Sequence, residues 1–324
     1  MLDRILTVRV ATIERHTPEI KAYTLVHPQG RLLPPFAAGA HIDVHLPGGF
    51  MRQYSLSHAA PADSGCTQYR IGVKREPTSR GGSAALHKRV VAGDLLSIST
   101  PRNSFALRGQ AQRHLLLAGG IGLTPLLAMA QQLARDGADF VLCVFARSRE
   151  HLAFAAELEA LAPHVRLHFD ATDGPDATKK IDLHALLQAE HQPGTHAYLC
   201  GPGGFMQAVR AAAVNWPDEQ LHLEYFAPPP SGTDTAANAP FTLKLARRGI
   251  SVAVGAEQSA VMALHELGLD VPTSCEQGIC GTCVVPWLDG EPEHRDFCLS
   301  ATERTKKLAL CCSRAKSGTL TIDL

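Results

Sequence analysis

The chain has 324 residues, of which 45% are hydrophobic and 19% charged, a balance that is typical of folded domains and excludes intrinsic disorder. Lys and Arg together number 31, as do Asp and Glu, so no overall charge attracts nucleic acid or an anionic membrane. The longest apolar stretch, residues 115–130, is broken by three glycines and Pro125, whereas a membrane span needs about 20 continuous apolar residues. Charged residues at positions 3, 4 and 9 interrupt any signal-peptide core. We therefore expect a soluble, cytoplasmic protein that binds neither nucleic acid nor membrane.

The first third of the sequence alternates between polar and apolar residues as β-strands do. Strands are predicted at residues 41–45, 69–74 and 95–99, with turn residues between them. Short strands at this spacing predict a small β-barrel, which we place at residues 1–108. His41, Asp43 and His45 share one face of the first of these strands. A metal site is one interpretation of the three, but we expect a solvated strand face.

From residue 109 the pattern changes to strands that alternate with helices. Strands are predicted at 114–118, 140–146, 165–170, 197–200 and 221–226. Helices are predicted at 124–136, 152–161, 183–189 and 205–214. Repeated units of this kind predict an α/β domain with a doubly wound parallel sheet, which we place at residues 109–227.

A proline-rich segment follows, and we interpret residues 228–239 as an interdomain linker. Beyond it, the sequence predicts a hairpin over 241–245 and 250–254 and a helix over 259–267. These elements belong to a third domain at residues 240–324.

Six of the nine cysteines lie in the last 50 residues. Cys275, Cys280 and Cys283 have the spacing C-x4-C-x2-C, which is the plant-type ferredoxin spacing for a [2Fe–2S] cluster. Gly278 and Gly281 allow that loop to turn sharply and leave N–H groups free to donate to sulfur. A zinc site is a weaker alternative, because zinc ligands more often form paired C-x2-C knuckles. Inert buried thiols are a third possibility.

On the residues alone, two cysteines compete for the place of fourth cluster ligand. Cys311 and Cys312 both follow the loop, with 27 residues between Cys283 and the first of them. Cys298 lies between the loop and this pair, and we interpret it as an ordinary buried thiol.

Two glycine-rich turns end strands of the predicted parallel sheet. The first runs from Gly119 to Pro125 and lies where a phosphate would meet a helix N-terminus. The second, Cys200-Gly201-Pro202, ends a later strand. Because the carboxyl ends of parallel strands meet at one edge of a sheet, the two turns together predict a nucleotide crevice with Cys200 beside the ligand.

Two segments of the predicted barrel offer groups that bind anions. Arg52, Tyr54 and Ser55 combine a cation, a stacking aromatic ring and a hydroxyl on one strand. Residues 80–83, Arg-Gly-Gly-Ser, open a short helix predicted at 84–89 and present N–H groups to an anion. Their joint presence upstream of a nucleotide fold favours a flavin.

This order of domains, along nearly the whole chain, resembles the phthalate dioxygenase reductase family, which includes the vanillate demethylase reductases. At the flavin site the residues that carry the resemblance are Arg52, Tyr54, Ser55, Lys74, Arg80, Gly81, Gly82 and Ser83. At the pyridine-nucleotide site they are Gly119, Gly120, Gly122, Thr124, Pro125, Cys200, Gly201 and Pro202. At the ends of the second and third domains they are Glu224, Phe226, His294, Asp296, Cys311 and Arg314.

The resemblance implies a multidomain protein whose third domain is an α+β β-grasp ferredoxin. It implies FMN rather than FAD, and a [2Fe–2S] cluster, and alignment with the family selects Cys311 over Cys312. The metal ligands that it implies are Cys275, Cys280, Cys283 and Cys311. Arg147 follows the second strand of the nucleotide domain, where a cation would accept the 2′-phosphate of NADPH. The family mostly uses NADH, and we favour NADH here.

The family's reaction geometry implies that Ser55, Cys200, Glu224 and Phe226 are the catalytic residues. The nicotinamide would lie against the flavin between Cys200 and Ser55, with Phe226 covering the flavin ring. Lys74 would stabilise negative charge on the reduced flavin. In this scheme the protein supplies position and tuning, while the electron chemistry belongs to the cofactors.

We therefore predict an enzyme, an NAD(P)H-dependent iron–sulfur flavoprotein oxidoreductase. By resemblance, it is the reductase component of an aromatic oxygenase or demethylase system and delivers electrons to a Rieske-type terminal oxygenase. One alternative is a [2Fe–2S] redox-sensing or binding protein. Another is a reductase for a cytochrome P450 or a diiron hydroxylase. We expect a monomer.

Overall fold

The computed structural model describes residues 5–48, 50–60, 64–77, 81–170, 181–228 and 238–324. Arg80 and most of the predicted linker lie outside these residues. The chain contains three sheets, and its packing divides it into two units, Met1–Glu224 and Tyr225–Leu324. None of the helices in the described ranges combines the length and the apolar character needed to cross a membrane.

The first sheet of the N-terminal unit is antiparallel and nearly closed. Its strands are β1 (Ile5–Arg15), β2 (Ile20–Val26), β3 (His41–Leu46), β4 (Phe50–Ser55), β5 (Gln68–Lys74) and β6 (Leu95–Ser99). Their order is β4-β3-β6-β1-β2-β5, and a bridge between Leu56 and Ile71 links the two outer strands into a near-barrel. Buried side chains such as Tyr23, Leu25 and Ile42 fill its interior. Helix α1 (Gly82–Arg89) lies between β5 and β6 in the sequence.

The second sheet of the same unit is parallel. Its strands are β7 (Arg113–Gly119), β8 (Asp139–Ala146), β9 (Val165–Phe169), β10 (Thr195–Cys200) and β11 (Leu221–Glu224). Its helices are α2 (Leu123–Arg135), α3 (Ala155–Glu159), α4 (Leu183–Glu190) and α5 (Gly203–Ala212). The strand order is β11-β10-β7-β8-β9, so the chain reverses its direction across the sheet between β7 and β10. Ligands of such sheets bind outside the carboxyl ends of the strands at this switch point.

The C-terminal unit contains the third sheet and its own apolar core. Its strands are β12 (Phe241–Leu245), β13 (Ile250–Val254), β14 (Val284–Glu293), β15 (Lys307–Ala309) and β16 (Arg314–Ile322). Its helices are α6 (Ala260–Glu266) and α7 (Ala301–Arg304). The order is β13-β12-β16-β14-β15, with β12 and β16 parallel and the other pairs antiparallel. Leu243, Leu264 and Leu320 are fully buried between this sheet and α6.

Two expectations from the sequence are wrong. The face of β3 that carries His41, Asp43 and His45 is exposed at His45 but buried at the other two, because His41 is only 5% exposed and Asp43 only 4%. Arg102, in the segment after β6, pairs with the Asp43 carboxylate at 2.5 Å and so satisfies the buried charge. The helix predicted at 152–161 is reduced to α3, because Phe154 has the left-handed φ of 58°, which no helix interior accepts.

Candidate functional site

The two glycine-rich turns meet at the switch point of the parallel sheet. Cys200 at the end of β10 pairs with Ala118 at the end of β7. A Cβ atom on Gly122 would lie 2.2 Å from the Cys200 carbonyl oxygen, and one on Gly201 would lie 3.0 Å from the Gly119 Cα. Only glycine permits this approach, so the main chains of both turns form one narrow crevice.

The N-terminus of α2 faces this crevice. Thr124 is buried and its hydroxyl donates a hydrogen bond to the Ile121 carbonyl at 3.0 Å, which fixes the turn. Pro125 is the third residue of helix α2. N–H groups in the first turn of a helix have no acceptor within the helix, so the missing N–H of proline costs no hydrogen bond there. The Leu123 N–H donates to the Gly120 and Ile121 carbonyls within the turn, and the helix N-terminus behind it is the kind of position that a dinucleotide phosphate occupies.

Phe205, one turn along from Pro202, packs over the glycines from the other side. A Cβ atom on Gly119 would lie 2.9 Å from its ring, and one on Gly201 would lie 2.6 Å from it. Its ring also packs against Phe145, with 5.0 Å between ring centroids. Phe205 was not among the predicted site residues, although its position directly after Gly203-Gly204 was the available signal in the sequence.

A hydrogen bond joins the near-barrel to the end of the parallel sheet. The buried Ser55 hydroxyl, at the end of β4, donates to the Glu224 carboxylate at 3.1 Å. Glu224 ends β11 and pairs in register with Cys200. Burial raises the pKa of Glu224 to about 8, against the opposing effect of the Ser55 hydrogen bond, so this carboxyl group can hold a proton at neutral pH. Burial and the nearby Glu224 also keep the pKa of the Cys200 thiol well above its usual value.

Phe226 differs from the other three predicted catalytic residues. Ser55, Cys200 and Glu224 all lie in the N-terminal unit and come together there. Phe226 belongs to the C-terminal unit and its side chain is 41% exposed. An exposed ring is suited to cover a ligand, and its proposed role rests on the resemblance.

The flavin-side residues gather around the start of α1. Arg52 on β4 lies so close to Gly82 that a Cβ there would be 2.6 Å from the Arg52 Cγ. Gly81, the residue before the helix, has a φ of 103°, which favours glycine. Tyr54 is half-buried, and burial raises the pKa of its phenol. These positions place a cation beside the N-terminus of α1, a combination that suits a phosphate group.

Glu76 engages two further residues predicted for the flavin site. Its carboxylate accepts a hydrogen bond from the Lys74 ammonium at 2.8 Å, and its backbone N–H donates to the Ser83 hydroxyl at 3.2 Å. Neither contact was expected, because Glu76 belongs to no recognised motif. Arg80 is outside the described residues.

Arg147 also has a partner that the sequence did not indicate. Its guanidinium donates to the Glu19 carboxylate at 2.7 Å, and this contact lowers the pKa of Glu19. The guanidinium of Arg149 lies over the Phe169 ring at 5.5 Å. Both arginines are therefore already engaged near the place where an adenosine ribose would lie.

The four predicted cluster cysteines are linked by sulfur contacts. Cys275 contacts Cys280 and Cys311, and Cys311 also contacts Cys283. These contacts lower the pKa values of Cys275 and Cys283 and raise those of Cys280 and Cys311, so the four thiols titrate as one set. The backbone N–H groups of Gln277 and Thr282 point at the sulfurs of Cys275 and Cys280, at 3.4 and 3.5 Å.

Glycines shape the cluster loop as expected. Gly278 and Gly281 have φ values of 73° and 75°. A Cβ on Gly278 would lie 2.6 Å from the Cys312 sulfur, so Cys312 packs behind the loop. Burial raises the pKa of the Cys298 thiol to about 12, which suits an inert side chain.

The chemistry of this donor set fits an iron–sulfur cluster. Four thiols from one tight loop and one later residue, with backbone N–H donors to sulfur, are the ligands that a [2Fe–2S] core needs.

Comparison with known proteins agrees with these sites. Residues 116–211 match the oxidoreductase NAD-binding domain, and residues 243–316 match the 2Fe-2S iron-sulfur cluster binding domain. The chain is 46% identical to a vanillate O-demethylase oxidoreductase of a Pseudomonas species, over 99% of this chain and 100% of that protein. The known structure of phthalate dioxygenase reductase, described as modular for electron transfer from pyridine nucleotides to [2Fe–2S], is 37% identical with a TM-score of 0.70. The match covers 99% of this chain and 98% of the phthalate dioxygenase reductase chain.

A second structure places a similar chain inside a longer protein. An intact type IV self-sufficient cytochrome P450 monooxygenase is 38% identical over 99% of this chain, with a TM-score of 0.87, and this chain spans only 41% of it. The full-length matches to separate reductases show the family directly. The chain belongs to the phthalate dioxygenase reductase family, and it is an oxidoreductase whose cofactors are NADH, FMN and a [2Fe–2S] cluster.

Proposed function

We propose that the chain is the reductase component of a two-component oxygenase and delivers electrons singly to a Rieske-type terminal oxygenase. The observation that carries this proposal is the Ser55–Glu224 hydrogen bond, because it brings the flavin-side strand β4 to the carboxyl edge of the nucleotide sheet. The two-electron donor and the flavin would then meet at one place. The full-length similarity to a vanillate O-demethylase oxidoreductase supports an oxygenase partner. The redox-sensor alternative has no such support.

The proposal divides the work among the segments of the chain. Residues 1–108 would bind FMN, residues 109–227 NADH and residues 240–324 the cluster, with residues 228–239 as linker. When bound, FMN accepts two electrons and releases them one at a time, as a one-electron cluster requires. Arg52 and the N–H groups of α1 would hold the phosphate, and the crevice at Gly119, Gly122 and Gly201 would hold the dinucleotide.

Protons and orientation would be controlled around Ser55. The Ser55 hydroxyl and the Glu224 carboxyl group form a partly buried pair that can keep a proton near the reacting ring. Cys200 would fill the space beside the nicotinamide as a neutral thiol, since its pKa is raised. Phe226 would cover the flavin ring until the nicotinamide displaces it.

An anaerobic titration of the purified holoprotein with NADH tests the proposal. Flavin and cluster together accept three electrons, so bleaching of both absorptions should end near about 1.5 equivalents of NADH. Rapid electron transfer should follow when a Rieske-type oxygenase is added. A holoprotein that NADH does not reduce, or one that reduces no acceptor, would contradict the proposal.

We propose Cys275, Cys280, Cys283 and Cys311 as the cluster ligands. Cys311 contacts two of the other three thiols, while Cys312 packs against Gly278. Cys311→Ser should therefore lose the cluster, and Cys312→Ser should keep its iron and sulfide content. Equal loss of the cluster in both variants, measured by iron analysis and visible absorption, would contradict the choice of Cys311 over Cys312 as the fourth ligand.

We propose that the Glu19–Arg147 ion pair underlies the use of NADH rather than NADPH, because the Glu19 carboxylate neutralises Arg147 and would repel a 2′-phosphate. Glu19→Gln should improve the kcat/KM for NADPH relative to NADH. An unchanged ratio would show that Arg147 does not face the ribose. We further propose that the protein acts as a monomer in the cytoplasm, which sedimentation and cell fractionation would test.

A cytochrome P450 is the second candidate for the partner. The observation that favours it is the similarity to the reductase part of a self-sufficient cytochrome P450 monooxygenase. Reconstitution with purified Rieske-type oxygenases and with cytochromes P450, under the same NADH concentration, separates the two candidates. Product formation with only the second class would replace the first proposal.

A further inference from the structure

The dinucleotide-binding turn touches the near-barrel at one glycine. A Cβ atom on Gly72 of β5 would lie 2.7 Å from the Thr124 methyl carbon and 3.0 Å from the Phe154 Cζ. The φ of Gly72 lies outside the left-handed region, so its backbone does not require glycine. Glycine is required at position 72 because the side chains of Thr124 and Phe154 leave no room for a methyl group.

Phe154 reaches this contact only in an unfavourable backbone conformation. Its φ of 58° and ψ of 37° are left-handed, which is rare for a bulky side chain. This conformation ends the extended segment before α3 and directs the ring, which is 1% exposed, towards Gly72. Strain of this kind persists only where the surroundings hold it.

A cluster of charged and aromatic groups from the near-barrel and from α3 holds Phe154. The Arg70 guanidinium lies over the Phe154 ring, 5.2 Å from its centroid, and forms an ion pair with Glu157 on α3. Glu14 on β1 accepts a second hydrogen bond from Arg70 at 2.7 Å. The His16 ring packs on the Phe154 ring at 4.5 Å and accepts a hydrogen bond from the Phe154 N–H at 3.2 Å.

The two sides of the contact belong to the two proposed cofactor sites. Thr124 lies in the turn that would hold the dinucleotide, and Gly72 lies two residues before Lys74 at the end of β5. A displacement at this contact therefore changes the spacing between the sites without changing the residues that bind either cofactor. Reacting atoms must lie within about 3–3.5 Å, and a misplacement of about 1 Å can slow a reaction roughly 100-fold.

We propose that the Gly72–Thr124–Phe154 contact, held by Arg70 and Glu157, sets the distance between the flavin and the nicotinamide. Gly72, Thr124 and Phe154 are thus positioning residues for the transfer of electrons from NADH. This inference rests on the proposed function, because it presupposes that NADH reduces a flavin bound to the near-barrel.

The test compares two glycine-to-alanine variants of the holoprotein. Gly72→Ala inserts a methyl group into the contact, whereas Gly109→Ala inserts it where nothing lies within 4 Å. Rapid mixing with NADH should show flavin reduction at saturation slowed roughly 10- to 100-fold in Gly72→Ala, with an apparent Kd for NADH within about twofold of wild type. Gly109→Ala should match the wild type in both.

A second readout does not depend on turnover. Titration with 1,4,5,6-tetrahydro-NAD, which cannot be oxidised, reports stacking through the change that it causes in flavin absorption. In Gly72→Ala the amplitude of that change should fall while the Kd stays the same. In the double variant Gly72→Ala/Thr124→Ser, one methyl group is added on β5 and one is removed from the facing threonine. This variant should recover part of the reduction rate and part of the absorption change.

The outcomes separate this inference from the proposed function. If NADH reduces neither the wild type nor Gly109→Ala, the proposed function fails. If the wild type is reduced but Gly72→Ala is as fast as Gly109→Ala, or loses only NADH affinity, the positioning role is overturned. Should Gly72→Ala not fold, the double variant Glu14→Gln/Glu157→Gln removes both carboxylates that hold Arg70 without adding volume. An unchanged reduction rate in that variant would overturn the inference equally.

Discussion

Glu224 shows how the surroundings of one residue change its chemistry. The family resemblance marks it as a catalytic position, and a glutamate would ordinarily be ionised. Burial beside Ser55 and Cys200 raises its pKa to about 8 instead. The position was recognisable from family resemblance, but the proton that it holds depends on residues far away in the sequence.

This pKa predicts a pH dependence of stability. Because the pKa is raised from 4.5 to about 8 on folding, the folded state binds more protons between these values. The free energy of unfolding should therefore fall as the pH rises from about 5 to about 8. Glu224→Gln, which cannot ionise, should remove this part of the slope. Melting temperatures across that range test it, with the exposed Glu159→Gln as control, and parallel curves for wild type and Glu224→Gln would contradict it.

A second prediction concerns a glycine of the crevice. In Gly122→Ala the new Cβ would lie 2.2 Å from the Cys200 carbonyl, so the ends of β7 and β10 must separate. We expect a loss of about 1–3 kcal/mol in NADH binding, or roughly 5- to 150-fold in Kd, with flavin and iron contents unchanged. Gly204→Ala, whose Cβ meets nothing within 4 Å, is the control. Equal NADH affinity in the two variants would show that the crevice does not bind the dinucleotide.

At the level of secondary structure, hydrophobic periodicity located many elements. The predictions at 95–99, 241–245 and 250–254 coincide with β6, β12 and β13. It failed at 152–161, because the packing of Phe154 against His16 and Arg70 imposes a left-handed residue that no local pattern announces. It also failed to predict the burial on β3, because Arg102 comes from a segment 59 residues from Asp43.

The candidate site also divides into features that the sequence predicted and contacts that it did not. Glycine turns, the Arg-x-Tyr-Ser strand and the cysteine loop have local signatures and were found from the sequence. The contacts of Arg147 with Glu19, of Lys74 with Glu76 and of the glycine turns with Phe205 were not predicted. Each of them involves a residue that folding brings from elsewhere in the sequence or that belongs to no motif. The placement of Phe226 stays a prediction.

Helix α4 depends on one buried carboxylate. Glu190, at its end, accepts hydrogen bonds from Arg113 on β7 at 2.7 Å and from Arg166 on β9 at 2.6 Å. Glu190→Gln would remove the charge that both arginines share, leaving the Asp139 carboxylate, 3.7 Å away, beside Arg113, and should lower the free energy of unfolding by about 2–3 kcal/mol. Urea denaturation followed by circular dichroism measures this. Glu159→Gln on α3 should change it by less than about 0.5 kcal/mol, and a similarly small effect at Glu190 would contradict the prediction.

For the whole molecule, the division into two units separates the proposed flavin and cluster chemistry. All the nucleotide-crevice residues lie in Met1–Glu224, and all four proposed cluster ligands lie in Tyr225–Leu324. Each unit has an apolar core of its own. Loss of one cofactor should therefore leave the other site intact.

Cys280→Ser tests this separation. The variant should lose its cluster but retain flavin reduction by NADH at the wild-type rate, and the anaerobic titration should end near about 1 equivalent of NADH instead of about 1.5. Cys298→Ser, which changes a half-buried thiol that we do not propose as a ligand, is the control and should keep the wild-type stoichiometry. Loss of flavin reduction in Cys280→Ser would show that the two units are not independent.

The absent side chain at position 72 also restricts how sequences of this family can change. The space that a methyl group would need there is filled by Thr124 and Phe154. A relative that gained alanine or serine at the position of Gly72 would need a smaller residue at one of the other two. Substitutions at these three sites should thus be correlated among related reductases, and a nucleotide-binding domain transferred between two of them should work only when the matching barrel residue moves with it.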